Sequence, residues 1–265
     1  MENKDNICIL EGMISVQAAI DAQQRKIELV YVDSSKVKKR DRKTLAFVKT
    51  LKEKNIPYEL CERNVIDAYL SQSDENAGKT HGGIVAVCSE RRYSDIDTLL
   101  TRTADEGGFC VLLDGVEDPF NFGYSVRNLY ASGVSGIIIP SRNWMSAAGV
   151  CGRASAGASE LCDIAVLPEM NDEKSHGEFI KSVKKKGLSV ICAAKTADCS
   201  EIFDFEPCFP ALLIIGGEKR GISPEFIECA DEIVCIPYAN EVRYSLPTAS
   251  VAAVFGFELA KHRRK

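Results

Sequence analysis

Six short apolar runs, at 109–113, 136–139, 164–167, 188–192, 211–215 and 233–236, punctuate the second half of the chain. Each is continuous rather than alternating, as expected for strands buried on both faces. Helical patterns separate most of them, at 124–132, 172–186 and 250–261. Strands alternating with helices predict a mostly parallel sheet with right-handed crossovers. The first ninety residues alternate more tightly. A helix is expected over 15–24, a strand over 27–32, and a helix over 42–54 with Pro57 just beyond it. A short strand over 57–60 and a helix over 65–70, capped by Asn64, lead to Gly82-Gly83 and the apolar run 84–88. The polar stretch between the two patterns reads as a linker. The expected fold class is α/β: a small α/β domain over 1–90, a linker over 91–107, and a larger domain over 108–265 built on a mostly parallel sheet.

Composition narrows the function classes. Hydrophobic content of 45% and charged content of 27% are those of a water-soluble globular chain. The apolar runs are far shorter than a membrane span. The first residues, Met1 to Asp5, lack the charged-then-apolar pattern of a secretory signal. Eleven cysteines lie mostly in apolar runs and form no CxxC pair, so they read as buried hydrophobes of a reducing cytoplasm, with no metal site. Net charge is −5, which speaks against a purely electrostatic hold on nucleic acid. Two basic runs, 36–43 and 261–265, qualify this. Each reads equally as a solvated loop or helix end and as a phosphate-contacting arm. His81, beside two glycines, reads as structural.

Three polar segments follow apolar runs where strands end and helices begin. In α/β sheets that edge is where ligands bind. The first runs from Asp118 to Asn128, with Asn121 as the expected helix cap and Arg127 almost two turns further on. The second, Gly216 to Ser223, opens with two glycines and ends in Ser223-Pro224, a helix-start signal. It has neither the Walker spacing nor GxGxxG, so common nucleotide loops have no support. The third runs from Ile236-Pro237 to Ser245-Leu246-Pro247-Thr248 and enters a helix of small residues, 249–256. Small residues permit close packing against another backbone.

Taken in order, these segments resemble the SpoU/TrmH family of RNA ribose methyltransferases, in the SPOUT class. Asn121, Gly123 and Arg127 fit its first motif, N-x-G-x-x-x-R, and 153–158 reads Arg-Ala-Ser-Ala-Gly-Ala. Gly216, Glu218, Gly221, Ile222 and Ser223 fit its second, and Ile236-Pro237 with Ser245-Leu246 its third. The resemblance covers about 107–262, and 8–90 is similar to the family's small substrate-binding domain. One departure stands out: Pro247 occupies the place of the motif's usual Asn, which removes side-chain hydrogen bonds and a backbone donor.

The resemblance implies a deep trefoil knot in the C-terminal domain and S-adenosylmethionine as cofactor, held mainly by backbone groups. It assigns Gly216, Gly217, Gly221, Ile236, Pro237 and Leu246 to the cofactor. It implies methyl transfer to a ribose 2′-hydroxyl, with ribosomal RNA favoured over transfer RNA by the two-domain layout. Arg127 is expected to grip a phosphate and stabilise developing alkoxide charge. Asn121 would orient Arg127 or the ribose, Glu218 would position loop or substrate, and Ser245 would bond near the acceptor. A homodimer through the C-terminal domain is implied, with 121–132, 144–158 and 245–260 as candidate contacts, and neither membrane nor metal. The alternative is a non-catalytic RNA-binding factor on the same fold, which Pro247 and the acidic charge leave open.

Overall fold

The computed structural model describes residues 7–73, 81–141, 148–168 and 173–263. In chain order the elements are β1 (Cys8–Glu11), α1 (Met13–Ala22), β2 (Ile27–Asp33), α2 (Ser34–Lys38), α3 (Arg42–Glu53), β3 (Tyr58–Cys61), α4 (Arg63–Ser73) and β4 (Ile84–Cys88). Then come α5 (Ile96–Asp105), β5 (Phe109–Asp114), α6 (Pro119–Ser132), β6 (Gly136–Pro140), α7 (Ala148–Ala154), α8 (Ala158–Leu161) and β7 (Ile164–Leu167). The chain ends with α9 (Glu173–Lys185), β8 (Ser189–Ala193), β9 (Ser200–Glu201), β10 (Ala211–Gly216), α10 (Pro224–Cys229), β11 (Glu232–Cys235) and α11 (Thr248–Arg263). They form two compact units: Met1–Arg92 with Met145–Leu161, and Tyr93–Trp144 with Cys162–Lys265.

This division differs from the sequence expectation at two places. The stretch 91–107 is not a linker, because its Leu99, Leu100 and Thr103 form one buried face of α5 within the larger unit. Asp95 starts that helix by accepting the Thr98 amide at 2.8 Å. The segment 145–161, expected in the larger domain, belongs to the smaller unit.

The smaller unit is built on a four-stranded sheet of order β1-β4-β2-β3. β4 runs antiparallel to β1 and β2, whereas β2 and β3 are parallel. Leu10, Val16, Val30, Val32, Phe47, Leu51 and Ile84 fill its core. The hairpin of short helices α7 and α8 packs on β1 and α1 and buries Cys151, Gly152, Ala154, Ala158 and Glu160. Ionic contacts hold it there. The Arg25 guanidinium reaches both oxygens of Glu160, at 2.8 and 3.3 Å, with side chains only 5% and 2% exposed. Arg153 pairs with Glu11, and Arg91 donates to the Ser159 carbonyl. Such buried pairs are geometrically demanding, and losing one partner strands a charge.

The larger unit is built on seven parallel strands of order β7-β6-β5-β10-β8-β11-β9. Every residue of β5 is buried, which explains its unbroken apolar run. On one face α5, α9 and α10 set Leu99, Leu100, Ile180, Val183 and Phe226 against Cys110, Leu112, Ile138, Val190, Cys192 and Ile214. α6 and α11 pack closely on each other, and α11 also touches β10. A Cβ on Gly256 of α11 would stand 2.7 Å from the Ser132 hydroxyl and 3.3 Å from Leu129, so glycine there lets the two helices approach without moving those side chains. All eleven cysteines are free. Burial pushes the Cys110 and Cys192 thiols up to about 12. Among the described residues no helix is long and apolar enough to cross a membrane.

Candidate active site at the strand ends of the larger unit

β5 and β10 lie side by side in register, with Gly216 opposite Asp114, so both strands end at the same level. Their loops then touch. A Cβ on Gly217 would lie 2.1 Å from the Gly115 carbonyl oxygen, and one on Gly216 would lie 2.2 Å from the Gly221 carbonyl carbon. The protein's own backbone therefore fills the space that side chains would need at both positions. The Gly217 amide donates to the Asp114 carbonyl at 2.6 Å, and the Gly221 amide donates to the Gly217 carbonyl at 2.9 Å. The Asp114 carboxylate accepts the Ser223 amide and hydroxyl, each at 2.8 Å. Ser223 thus precedes Pro224 at the start of α10 as expected, but its hydroxyl serves Asp114 instead of capping its own helix.

The first motif is arranged differently from the sequence expectation. Asn121 is not the helix cap. Asp118 is, accepting the Asn121 amide at 2.8 Å, with Pro119 as the first helical residue. This frees the Asn121 side chain. Its Nδ2 donates to both Glu218 oxygens, at 2.8 and 2.7 Å. Glu218 also accepts the Thr248 amide at 3.2 Å, and the Thr248 hydroxyl donates to the Gly216 carbonyl at 3.1 Å. Asn128 donates to the Ala249 carbonyl at 2.9 Å. The three motif segments therefore meet in one hydrogen-bonded network. A carboxylate at the N-terminus of the 16-residue α11 is also favoured by the helix dipole. Pro247 fits here without loss. Its carbonyl accepts the Ser250 and Val251 amides, opening α11, and the next residue, Thr248, supplies the side-chain bond.

Arg127 and Ser245 stand apart from this network. Both are exposed, and neither has a hydrogen bond or ion pair among the described residues. Ile236, Pro237 and Leu246 are half-buried in the 236–247 loop beyond β11. Tyr238 braces that loop: its hydroxyl accepts the Leu246 amide at 3.3 Å, and the Lys195 ammonium lies 5.2 Å from its ring centre. A cleft of about 330 Å³ opens beside the network, lined by Gly115, Glu117, Asp118, Pro119, Glu218 and Lys219. Lys219 is paired with Glu117 at 2.6 Å.

Sequence reasoning passed over Asp114 and Tyr238, and it named Asp118 and Thr248 within their segments without giving either a role in the site. Asp118-Pro119 is itself a helix-start signal and could have been used. The roles of Asp114 and Tyr238 depend on partners that only folding brings near. His81, in the smaller unit, is fully buried. Its Nδ1 accepts the Gly83 amide at 3.1 Å, so Nε2 carries the proton and donates to Asp67 at 2.8 Å. No group of three potential metal ligands occurs among the described residues.

A polar site beyond the carboxyl ends of parallel central strands, joined in one chain to a separate small α/β unit, defines a two-unit α/β ligand-binding protein. Residues 108–257 match the model of the SpoU rRNA Methylase family, and 9–94 match the model described as RNA 2′-O ribose methyltransferase substrate binding. The chain belongs to the SpoU rRNA methylase family. It is 28% identical over 261 residues to the 23S rRNA (guanosine-2′-O-)-methyltransferase RlmB of Shewanella oneidensis, covering 97% of this chain and 98% of that one. The RlmB of Pseudomonas putida is 25% identical over 256 residues, covering 96% of each. Among solved structures, the SpoU methyltransferase AviRb from Streptomyces viridochromogenes in complex with AdoMet superposes with a TM-score of 0.73 at 20% identity, over 98% of this chain and 91% of that one. The AdoMet-bound rRNA methyltransferase from Sinorhizobium meliloti gives 0.70 at 24% identity, over 97% and 88%. The expected architecture, a mostly parallel sheet with a small N-terminal α/β unit, is the one found.

Proposed function

We propose that this chain transfers a methyl group from S-adenosylmethionine to a ribose 2′-hydroxyl of ribosomal RNA. Full-length similarity to RlmB proteins supports the substrate class. The observation that carries the reading is the network of Asn121, Glu218, Gly216 and Thr248, which joins all three motif segments at the ends of β5 and β10.

The local chemistry fits the cofactor. Among the described residues, no amide or carbonyl from Ile236 to Leu246 has a backbone hydrogen-bond partner, and Ile236, Pro237, Tyr238, Val242 and Leu246 are half-buried while the rest are exposed. Apart from the Leu246 amide, which the Tyr238 hydroxyl accepts, these main-chain donors and acceptors are open and suit the edge of a purine and a ribose. Carboxylates of the neighbouring cleft suit the cationic end of the same molecule. Ile236, Pro237 and Leu246 would hold it, with Gly216, Gly217 and Gly221 shaping the loop that bounds it. When bound, S-adenosylmethionine supplies a methyl group already activated by its sulfonium.

The chain's own residues must align the acceptor and help its proton leave. The exposed Arg127 guanidinium has no internal partner among the described residues, so it is available to an RNA phosphate and to the developing oxyanion. Asn121 acts through Glu218, holding the second motif against α6, rather than by orienting Arg127. Exposed Ser245 is free to bond near the acceptor. The network of Asn121, Glu218, Gly216 and Thr248 closes with Pro247 in place, which supports the catalytic reading over a non-catalytic one.

The remaining assignments belong to the same reading. Exposed Tyr124, Tyr130 and Phe257 on α6 and α11 support 121–132 and 245–260 as the contact of a homodimer. The third candidate, within 144–158, has much of its small-residue surface packed inside the smaller unit. The return of α11 from beyond β11 to the end of β10 is consistent with a threaded C-terminal segment. The reaction belongs in the cytoplasm, where ribosomal RNA is made. The test pairs calorimetry with mapping. The protein should bind S-adenosylmethionine and restore one ribose methylation on ribosomal RNA from cells lacking its gene. Failure to bind the cofactor overturns the reading.

A further inference from the structure

The two basic runs of this acidic chain are used differently. At the end of α11 the cations are engaged. Lys261 pairs with Glu258 at 2.6 Å, His262 lies 3.3 Å from the same carboxylate, and Arg263 donates to the Gly133 carbonyl at 3.1 Å. Residues 264–265 lie outside the described residues. In the run 36–43 only Lys36 is engaged, donating to the Gly82 carbonyl at 2.6 Å. Lys38, Lys39, Arg40, Arg42 and Lys43 are all exposed, and none forms an ion pair with a carboxylate among the described residues, although Lys43 lies near enough to Asp41 to help lower its pKa. The one acid in the run, Asp41, is turned to its own helix, accepting the Thr44 amide at 2.8 Å and hydroxyl at 2.7 Å.

The fold gathers these cations at one edge. α2 leaves the carboxyl end of β2, and the turn at 39–41 leads into α3, whose N-terminus adds the positive end of its dipole. β3 runs parallel to β2 and ends at the same edge, where exposed Arg63 begins α4. An unneutralised cluster of five like charges is a cost to folding by self-repulsion, and it is relieved when an anion binds. Flexible cations without planar, bidentate partners suit a repeating array of phosphates better than a single carboxylate.

Building on the methyltransferase reading, we propose that Lys38, Lys39, Arg40, Arg42 and Lys43 dock the phosphodiester backbone of the RNA substrate. This edge fixes where the RNA lies without reading its bases. It also explains how a chain of net charge −5 holds a polyanion: the attraction is confined to one edge.

The experiment uses the full chain and a fluorescein-labelled 23S rRNA transcript, with binding followed by anisotropy between 50 and 300 mM salt. The triple variant Lys38→Gln/Lys39→Gln/Arg40→Gln should weaken binding roughly 50- to 150-fold near 150 mM salt, as expected for three lost phosphate contacts. The slope of log affinity against log salt should flatten by about 2 to 3. A control on the neighbouring helix α3, Lys49→Gln/Lys52→Gln, should leave slope and affinity near wild type. Calorimetry with S-adenosylmethionine should be unchanged in both. If the triple variant keeps the wild-type slope, the proposal is wrong, whatever the cofactor result. If poly-glutamate competes as well as the transcript, the edge is an acidic-protein site and the proposal fails likewise. Loss of cofactor binding by the wild-type chain would instead remove the methyltransferase reading.

Discussion

The two units handle charge in opposite ways. In the larger one, the carboxylates at the strand ends are engaged internally: Asp114 with Ser223, and Glu218 with Asn121 and Thr248. They define a shape. In the smaller one, charge is found both deep inside, as the Arg25–Glu160 and Arg153–Glu11 pairs, and unneutralised on the α2–α3 edge. The interior pairs join 148–161 to β1 and to the turn between α1 and β2. The same residue types thus hold a segment in place, shape a site, or wait for a partner, according to burial and neighbours. Cation count alone distinguishes none of these.

The comparison is broken most severely at Glu160. Glu160→Ala would leave the Arg25 guanidinium buried without its carboxylate and should destabilise the chain by about 3–5 kcal/mol. Urea titration reads this directly. A loss below about 1 kcal/mol would mean that the interior pairs of the smaller unit hold nothing. Next comes Arg127→Ala. Methyl incorporation into ribosomal RNA should fall roughly 100- to 1000-fold, while melting temperature and cofactor affinity stay at wild-type values. An active variant would remove Arg127 from the chemistry.

Thr248→Val sharpens the role of the network. It keeps the shape but removes the donor to the Gly216 carbonyl, a loss of about 1 kcal/mol. It should raise KM for the cofactor more than it lowers kcat, because the affected bond bounds the loop and not the acceptor. Equal changes in both would place Thr248 in the transition state instead.

The smallest effect concerns pH. The Thr44 hydroxyl and amide hold the Asp41 carboxyl below the usual carboxylate range. A depressed folded-state value means that its stabilisation is present above the unfolded pKa of about 3.9 and fades as pH falls through the folded value. Melting temperature should therefore drop on acidification below about pH 4, and Asp41→Asn should flatten that drop slightly. An unchanged profile would show that the cap contributes no pH-dependent stability.

Much of the larger unit was legible beforehand. Continuous apolar runs marked β5, β6, β7, β8, β10 and β11 because a strand covered on both faces has no polar side to show. Two strands, β1 and β9, were not read, and β9, with two residues, is too short to display a period. One short helix was expected in the polar stretch 89–108, but its membership of the larger unit was not legible, because only one face of α5 is buried. Segment 145–161 carried no mark of the unit it joins. Its attachment depends on partners such as Arg25, 135 residues away from Glu160.

The chain's linear order determined the alternation of strands and helices, the three polar segments after strand ends, and the residues Asn121, Glu218 and Arg127 that carry the family pattern. Tertiary structure decided which of them touch. It gave Asp118 the cap and released Asn121 to Glu218, joined Thr248 to Gly216 beside Pro247, and paired cations at the end of α11 while leaving those at 38–43 without ion pairs among the described residues. The reason is range. Periodicity and capping act over a few residues and can be read along the chain, whereas hydrogen bonding and charge pairing depend on distances of about 3 Å that only the folded backbone sets.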